Sequence, residues 1–77
     1  MNLSQGVRDN SYKIINIEMP ENIERRLQTL GITEGSIVEL LNIKKNGTLI
    51  LKVRGSRFAV GGKIASGIKI RRAEGES

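Results

Sequence analysis

The sequence has 77 residues, room for one small domain, and contains neither cysteine nor histidine. That excludes a disulfide framework, a thiolate metal centre and the imidazole bases on which most catalytic sites rely. Its formal net charge is +5 and its apolar runs are short, so no membrane insertion is predicted.

The charge is unevenly spread. Residues 1–39 carry four basic groups against six acidic ones, whereas residues 40–73 carry nine basic groups and no acidic one. Glu74 and Glu76 close the chain. A basic second half suggests an acidic partner, although a solvated exterior gives the same pattern.

In chain order, residues 1–11 are polar and read as a mobile or loosely docked arm. The opening MNLSQGVRDN lacks the apolar core of a signal peptide, and with no cysteine the expected location is a reducing cytoplasm. Tyr12 to Ile17 (YKIINI) reads as the first strand, with Tyr12 and Ile14 on one face. Pro20 suits the first turn of a helix, where its missing N–H costs nothing. Ile23, Leu27 and Leu30 follow the i, i+4, i+7 spacing of one buried stripe, predicting a helix over about residues 20–30. Glu21 and Arg25 are placed to pair on its exposed side. Gly31 ends it, as a residue in the left-handed conformation.

Thr33-Glu34-Gly35-Ser36 reads as a turn with positive φ at Gly35. Ile37 to Lys44 (IVELLNIK) is so apolar that alternation fails, predicting a strand buried on both faces. Asn46-Gly47 is the strongest hairpin signal in the chain. Leu49, Leu51 and Val53 alternate inward on the next strand, Gly55-Ser56 turns the chain again, and Arg57 to Val60 follows with Phe58 and Val60 inward. Residues 61–67 read as one helical turn, and Ile68 and Ile70 flank Lys69 in a last strand. Five short strands and one helix predict a mainly β fold, a small bent barrel closed on itself over residues 12–72, with a disordered tail at 73–77.

Candidate chemistry is sparse. Ser4, Ser11, Ser36, Ser56 and Ser66 lack an imidazole to activate them. Glu21 and Glu24 share a helix face and could hold a hard cation, but Arg25 and Arg26 beside them favour charge balance. Gly61-Gly62-Lys63 fails the phosphate-loop pattern, because Arg57 and Ile64 stand where glycine and Ser or Thr are needed. No metal or cofactor is expected, and the chain is not expected to be an enzyme. Nucleic-acid binding is the rival reading. Lys52, Arg54, Arg57, Lys69, Arg71 and Arg72 could track phosphates, but stacking platforms are limited to Tyr12 and Phe58.

The segments IERRLQTLGITEGSIVEL and ILKVRGSRFAV, in that order, resemble the FeoA family of bacterial ferrous iron transport. The match rests on Leu30-Gly31, Ile32-Thr33-Glu34-Gly35, Val53-Arg54-Gly55 and Arg57-Phe58-Ala59-Val60, with Ala65 and Ile68 following. Gln5-Gly6-Val7-Arg8 and Gly61-Gly62 depart from the family's usual residues. The resemblance implies an SH3-like barrel that contacts the cytosolic GTPase-bearing domain of the FeoB iron transporter. A similar domain closes the chain of some metal-dependent repressors. The candidate contacts are then Ile32, Thr33, Glu34, Lys52, Arg54 and Arg57, with Leu30 in the core and Ile32 as the exposed apolar anchor. Gly31, Gly35, Gly47 and Gly55 are expected to be structural turns.

Overall fold

A computed structural model describes residues 1–73; the tail expected to be disordered lies almost wholly outside the described residues. Five antiparallel strands form one sheet: β1 (Asn10–Ile17), β2 (Ile37–Ile43), β3 (Leu49–Val53), β4 (Ser56–Val60) and β5 (Ile68–Arg72). Their order is β4-β3-β2-β1-β5. Helix α1 (Glu21–Thr29) joins β1 to β2, and a five-residue helix, α2 (Gly62–Ser66), joins β4 to β5. The expected class holds: mainly β, five strands and one full helix.

Closure is the correction. No ladder joins β4 to β5 among the described residues, so hydrogen bonding leaves an open sheet rather than a sealed barrel. The core is completed by side chains from outside the sheet: Leu3, Leu27, Ile32 and Ala65 are buried with the inward residues of all five strands.

The N-terminal segment, expected as a loosely docked arm, supplies part of that closure. A 3₁₀ turn (Leu3–Gln5) is capped reciprocally by the Asn2 and Gln5 side chains and places Leu3 in the core. Gly6 lies against Leu40 and the Tyr12 ring, where a β-carbon would come within 3.2 Å of both. The Tyr12 hydroxyl accepts a 2.7 Å hydrogen bond from the Val7 amide, which satisfies the one polar atom of a buried ring. Residues 1 and 2 also cover the outer edge of β5. The Ile70 amide donates to Met1 O at 2.8 Å, and Asn2 bridges Lys69.

Two bulges reset the strand faces. The pairing of β1 with β5 slips between Ile14 and Asn16, so Ile17 turns inward with Tyr12 and Ile14 while Ile15 is left outside. The pairing of β2 with β3 slips between Leu40 and Asn42. Strand β2 is not buried on both faces as expected: Val38 and Leu40 are interior, Ile37 alternates outward ahead of the slip and is 43% exposed, and Ile43 beyond it is 41% exposed.

The two hairpins differ in a way their sequences disguise. Asn46-Gly47 does turn the chain, but within a three-residue loop: the Gly47 amide bonds Lys44 O, the Lys44 amide bonds Thr48 O, and only Gly47 has positive φ. The tight two-residue turn is Arg54-Gly55, with φ of 53° and 84°, the signature of a type I′ turn. An arginine in that first position is strained by about 1 kcal/mol relative to glycine.

Candidate docking surface

The helix-to-strand junction is a compact set of hydrogen bonds. At the end of α1 the Ile32 amide donates to Leu27 O and the Gly31 amide to Gln28 O, each at 2.9 Å, with Gly31 at φ 90°. This pair of bonds is a Schellman motif, in which the residue after the glycine folds back over the last turn. Ile32 therefore joins Leu27 in the interior and has no exposed surface. Its expected role as an exposed anchor is corrected by that geometry. Leu30, expected in the core, is 38% exposed, because the helix ends before the third position of its stripe can turn inward.

Beyond Ile32 the turn Thr33–Ser36 is locked from both sides. The Gly35 amide donates to Ile14 O at 2.7 Å, and the Ile14 amide donates to Ser36 O at 2.8 Å. The Ser36 hydroxyl donates to Gly31 O at 3.0 Å and accepts from the Thr33 amide at 3.3 Å. With its single proton committed to Gly31 O, it also accepts from the Thr33 hydroxyl at 2.7 Å. Thr33 is half-buried and occupied by these bonds, so Glu34 is the one exposed candidate side chain in the junction.

The three basic candidates lie elsewhere, and the structure separates them. Lys52 and Arg57 are directly opposite each other across β3 and β4, both exposed. Lys13 and Arg71 form a second like-charge pair across β1 and β5. Directly opposed like charges destabilise a sheet by some tenths of a kcal/mol, up to about 1 kcal/mol. Glu39 opposite Lys52 offsets part of this. Arg54 sits at the β3–β4 turn, across Gly31: a β-carbon at Gly31 would be 3.4 Å from Val53 Cγ1 and 3.7 Å from Arg54 Cδ. Among the described residues Arg54 has no ion-pair partner, whereas Arg25 pairs with Glu21 at 3.1 Å and Lys69 with Glu18 at 3.6 Å.

Two clefts flank Leu30. One, of about 230 Å³, is lined by Ile23, Arg26, Leu27 and Leu30 of the helix side and by Ala59, Val60, Gly61 and Ile64 opposite. The other, of about 300 Å³, lies between residues 28–31 and Val53, Arg54, Ser56 and Phe58. The first is mainly apolar, the second mixes Leu30, Val53 and Phe58 with Gln28, Thr29 and Ser56; each has one arginine, and among the described residues no carboxylate lines either. Sequence reasoning missed these clefts because their walls come from segments some thirty residues apart. The available signal was the Leu27…Gly31-Ile32 spacing, which marks a Schellman ending and so frees Leu30. Neither aromatic ring forms an exposed stacking platform: Tyr12 is buried, and Phe58 packs against the core.

A model of the FeoA domain matches residues 1–72. The solution structure of the FeoA protein of Chlorobium tepidum superposes with a TM-score of 0.90 at 20% identity, over all of this chain and 74% of that one. A crystal structure of an iron uptake regulatory protein (FeoA) gives 0.86 at 28% identity, over 94% of this chain and 96% of that one. The manganese regulator SloR gives 0.81 at 17% identity, over 92% of this chain but only 34% of its own, so there the fold is one part of a longer protein. No curated protein matches the chain by sequence. The solved relatives bear out the SH3-like fold.

Proposed function

The chain belongs to the FeoA domain family of ferrous iron transport, and on that premise we propose that it is a non-enzymatic accessory protein acting by contact with the cytosolic GTPase-bearing domain of a FeoB-type transporter. The observation that carries this reading is the pair of clefts around Leu30, one apolar and one of mixed lining, each bordered by an arginine and, among the described residues, free of carboxylates. Such a surface suits a protein segment of opposite charge better than a small polar substrate. The like-charge pairs Lys52–Arg57 and Lys13–Arg71 extend the basic field beyond the clefts. With neither histidine nor cysteine in the sequence, a role as iron carrier is the poorer fit. An oligonucleotide is also the poorer fit, because both aromatic rings are turned into the fold. Docking there places the chain in the cytoplasm.

Titration of the purified chain with the transporter's cytosolic domain tests the reading directly. Saturable binding that a Leu30→Asp variant weakens supports it. Absence of binding at low salt, with the wild-type chain folded, refutes it.

A further inference from the structure

The sheet has two edges, and among the described residues only one is covered. Residues 1 and 2 pair with the outer side of β5. Along β4 no backbone bond to the outer side is present among the described residues. The ladder settles which groups face out. In a two-residue hairpin the residues flanking the turn, Val53 and Ser56, form a hydrogen-bonded pair, and such pairs alternate with non-bonded ones along an antiparallel ladder. Phe58 and Val60 therefore bond to β3, and the amides and carbonyls of Arg57 and Ala59 point to the open side. Both residues are exposed.

This open edge runs beside α1, with the two clefts between them and Leu30 in the middle. A strand laid against β4 would direct every second side chain towards Ile23, Leu27 and Leu30, and the alternate ones to the outer face, where Lys52 and Arg57 stand. We infer that β4 is completed by an extended segment of the partner protein that alternates apolar and acidic residues, adding a sixth strand. The inference rests on the reading of the chain as a protein-docking module and names the chemistry of what docks. A second copy of this chain is the disfavoured occupant, because edge-to-edge pairing would bring Arg57 and its Lys52 neighbour against their own copies. The mode is main-chain recognition with pockets for alternate side chains, in which affinity comes from backbone bonds and selectivity from charge.

The test uses the ¹⁵N-labelled full chain and two synthetic octapeptides, one alternating valine with glutamate and one alternating valine with lysine. The valine–glutamate peptide is expected to shift the Arg57 and Ala59 amides and slow their hydrogen exchange at least tenfold, while the lysine peptide binds at least tenfold more weakly. Ala59→Pro removes an outward amide without touching the β3 ladder and should reduce binding at least tenfold. Should that variant lose its fold, Arg57→Glu carries the test, and it should invert the preference between the peptides. Equal binding of both peptides, peptide binding with unchanged exchange at Arg57 and Ala59, or a self-associated chain protected along β4 would each overturn the inference. A folded Ala59→Pro chain that still binds the transporter domain with full affinity sinks the strand addition and leaves the accessory role standing. Selective peptide binding by a chain that ignores the transporter domain does the reverse.

Discussion

The Ile32 amide reaches back 2.9 Å to the carbonyl of Leu27, and both side chains are buried in the same core. One bond thus decides which of the two apolar residues either side of Gly31, Leu30 or Ile32, the protein shows to its surroundings. Ile32→Ala should cost about 2–5 kcal/mol, the range for removing a buried aliphatic side chain. Leu30→Ser, on a partly exposed side chain, should cost less than about 1 kcal/mol. Urea denaturation of both variants measures the difference, and equal losses would contradict the assignment.

Gly31 and Gly35 have the same positive φ, 90° and 89°, but different surroundings. A β-carbon at Gly35 meets nothing within 4 Å, while one at Gly31 would make an ordinary contact with Val53 Cγ1 at 3.4 Å. Gly35→Ala should therefore cost only the left-handed strain, about 1 kcal/mol. Gly31→Ala should cost a similar amount in the same denaturation series, since its added contact with Val53 is of ordinary length, and a much larger loss would show that contact to be strained.

The Ser36 hydroxyl is the hub of the junction, giving one hydrogen bond and receiving two. Ser36→Ala leaves Gly31 O and the Thr33 groups without that partner and should lower stability by about 1–3 kcal/mol. Faster hydrogen exchange confined to residues 31–36 would identify the loss as local. Uniform change across the chain would argue against a hub.

Arg54 holds a backbone conformation that asparagine adopts more readily. Arg54→Asn is expected to stabilise the chain by up to about 1 kcal/mol and, on the docking proposal, to weaken binding of the transporter domain at least fivefold. Improved stability with unchanged binding would remove Arg54 from the contact surface. No gain in stability would show that the strain is relieved by its packing on Gly31.

Binding through a basic surface should also fall as salt rises. The Debye length shrinks from roughly 10 Å at 0.1 M to about 3 Å at 1 M, which screens exposed charges. On the docking proposal, affinity for the transporter domain should drop across that range in wild-type protein, and less steeply in an Arg54→Glu, Arg57→Glu double variant. A salt-independent wild-type affinity would point to a contact made by the clefts alone.

Much of this architecture is legible in the sequence because it is local. Gly31 and Gly35 take the positive φ expected of them, Gly47 and Gly55 stand at turns with positive φ as well, and Pro20 stands immediately before α1, its carbonyl receiving the Ile23 and Glu24 amides. Glu21 and Arg25 pair as their spacing predicts. These features need only a few neighbouring residues and the steric limits of the backbone. The run from Ile37 to Ile43 misleads because a bulge opposite β3 shifts its alternation, and nothing within the run itself signals it.

The turns, the strand count, the helix and the basic second half were determined by residue type and spacing alone, since conformational freedom and charge belong to individual residues. Tertiary structure decided the rest: that Ile32 is inside and Leu30 outside, that residues 1 and 2 seal β5, and that among the described residues β4 stays open beside a cleft. Each of these depends on segments distant in sequence meeting in space. Burial and edge pairing are properties of such meetings, which a one-dimensional pattern does not contain.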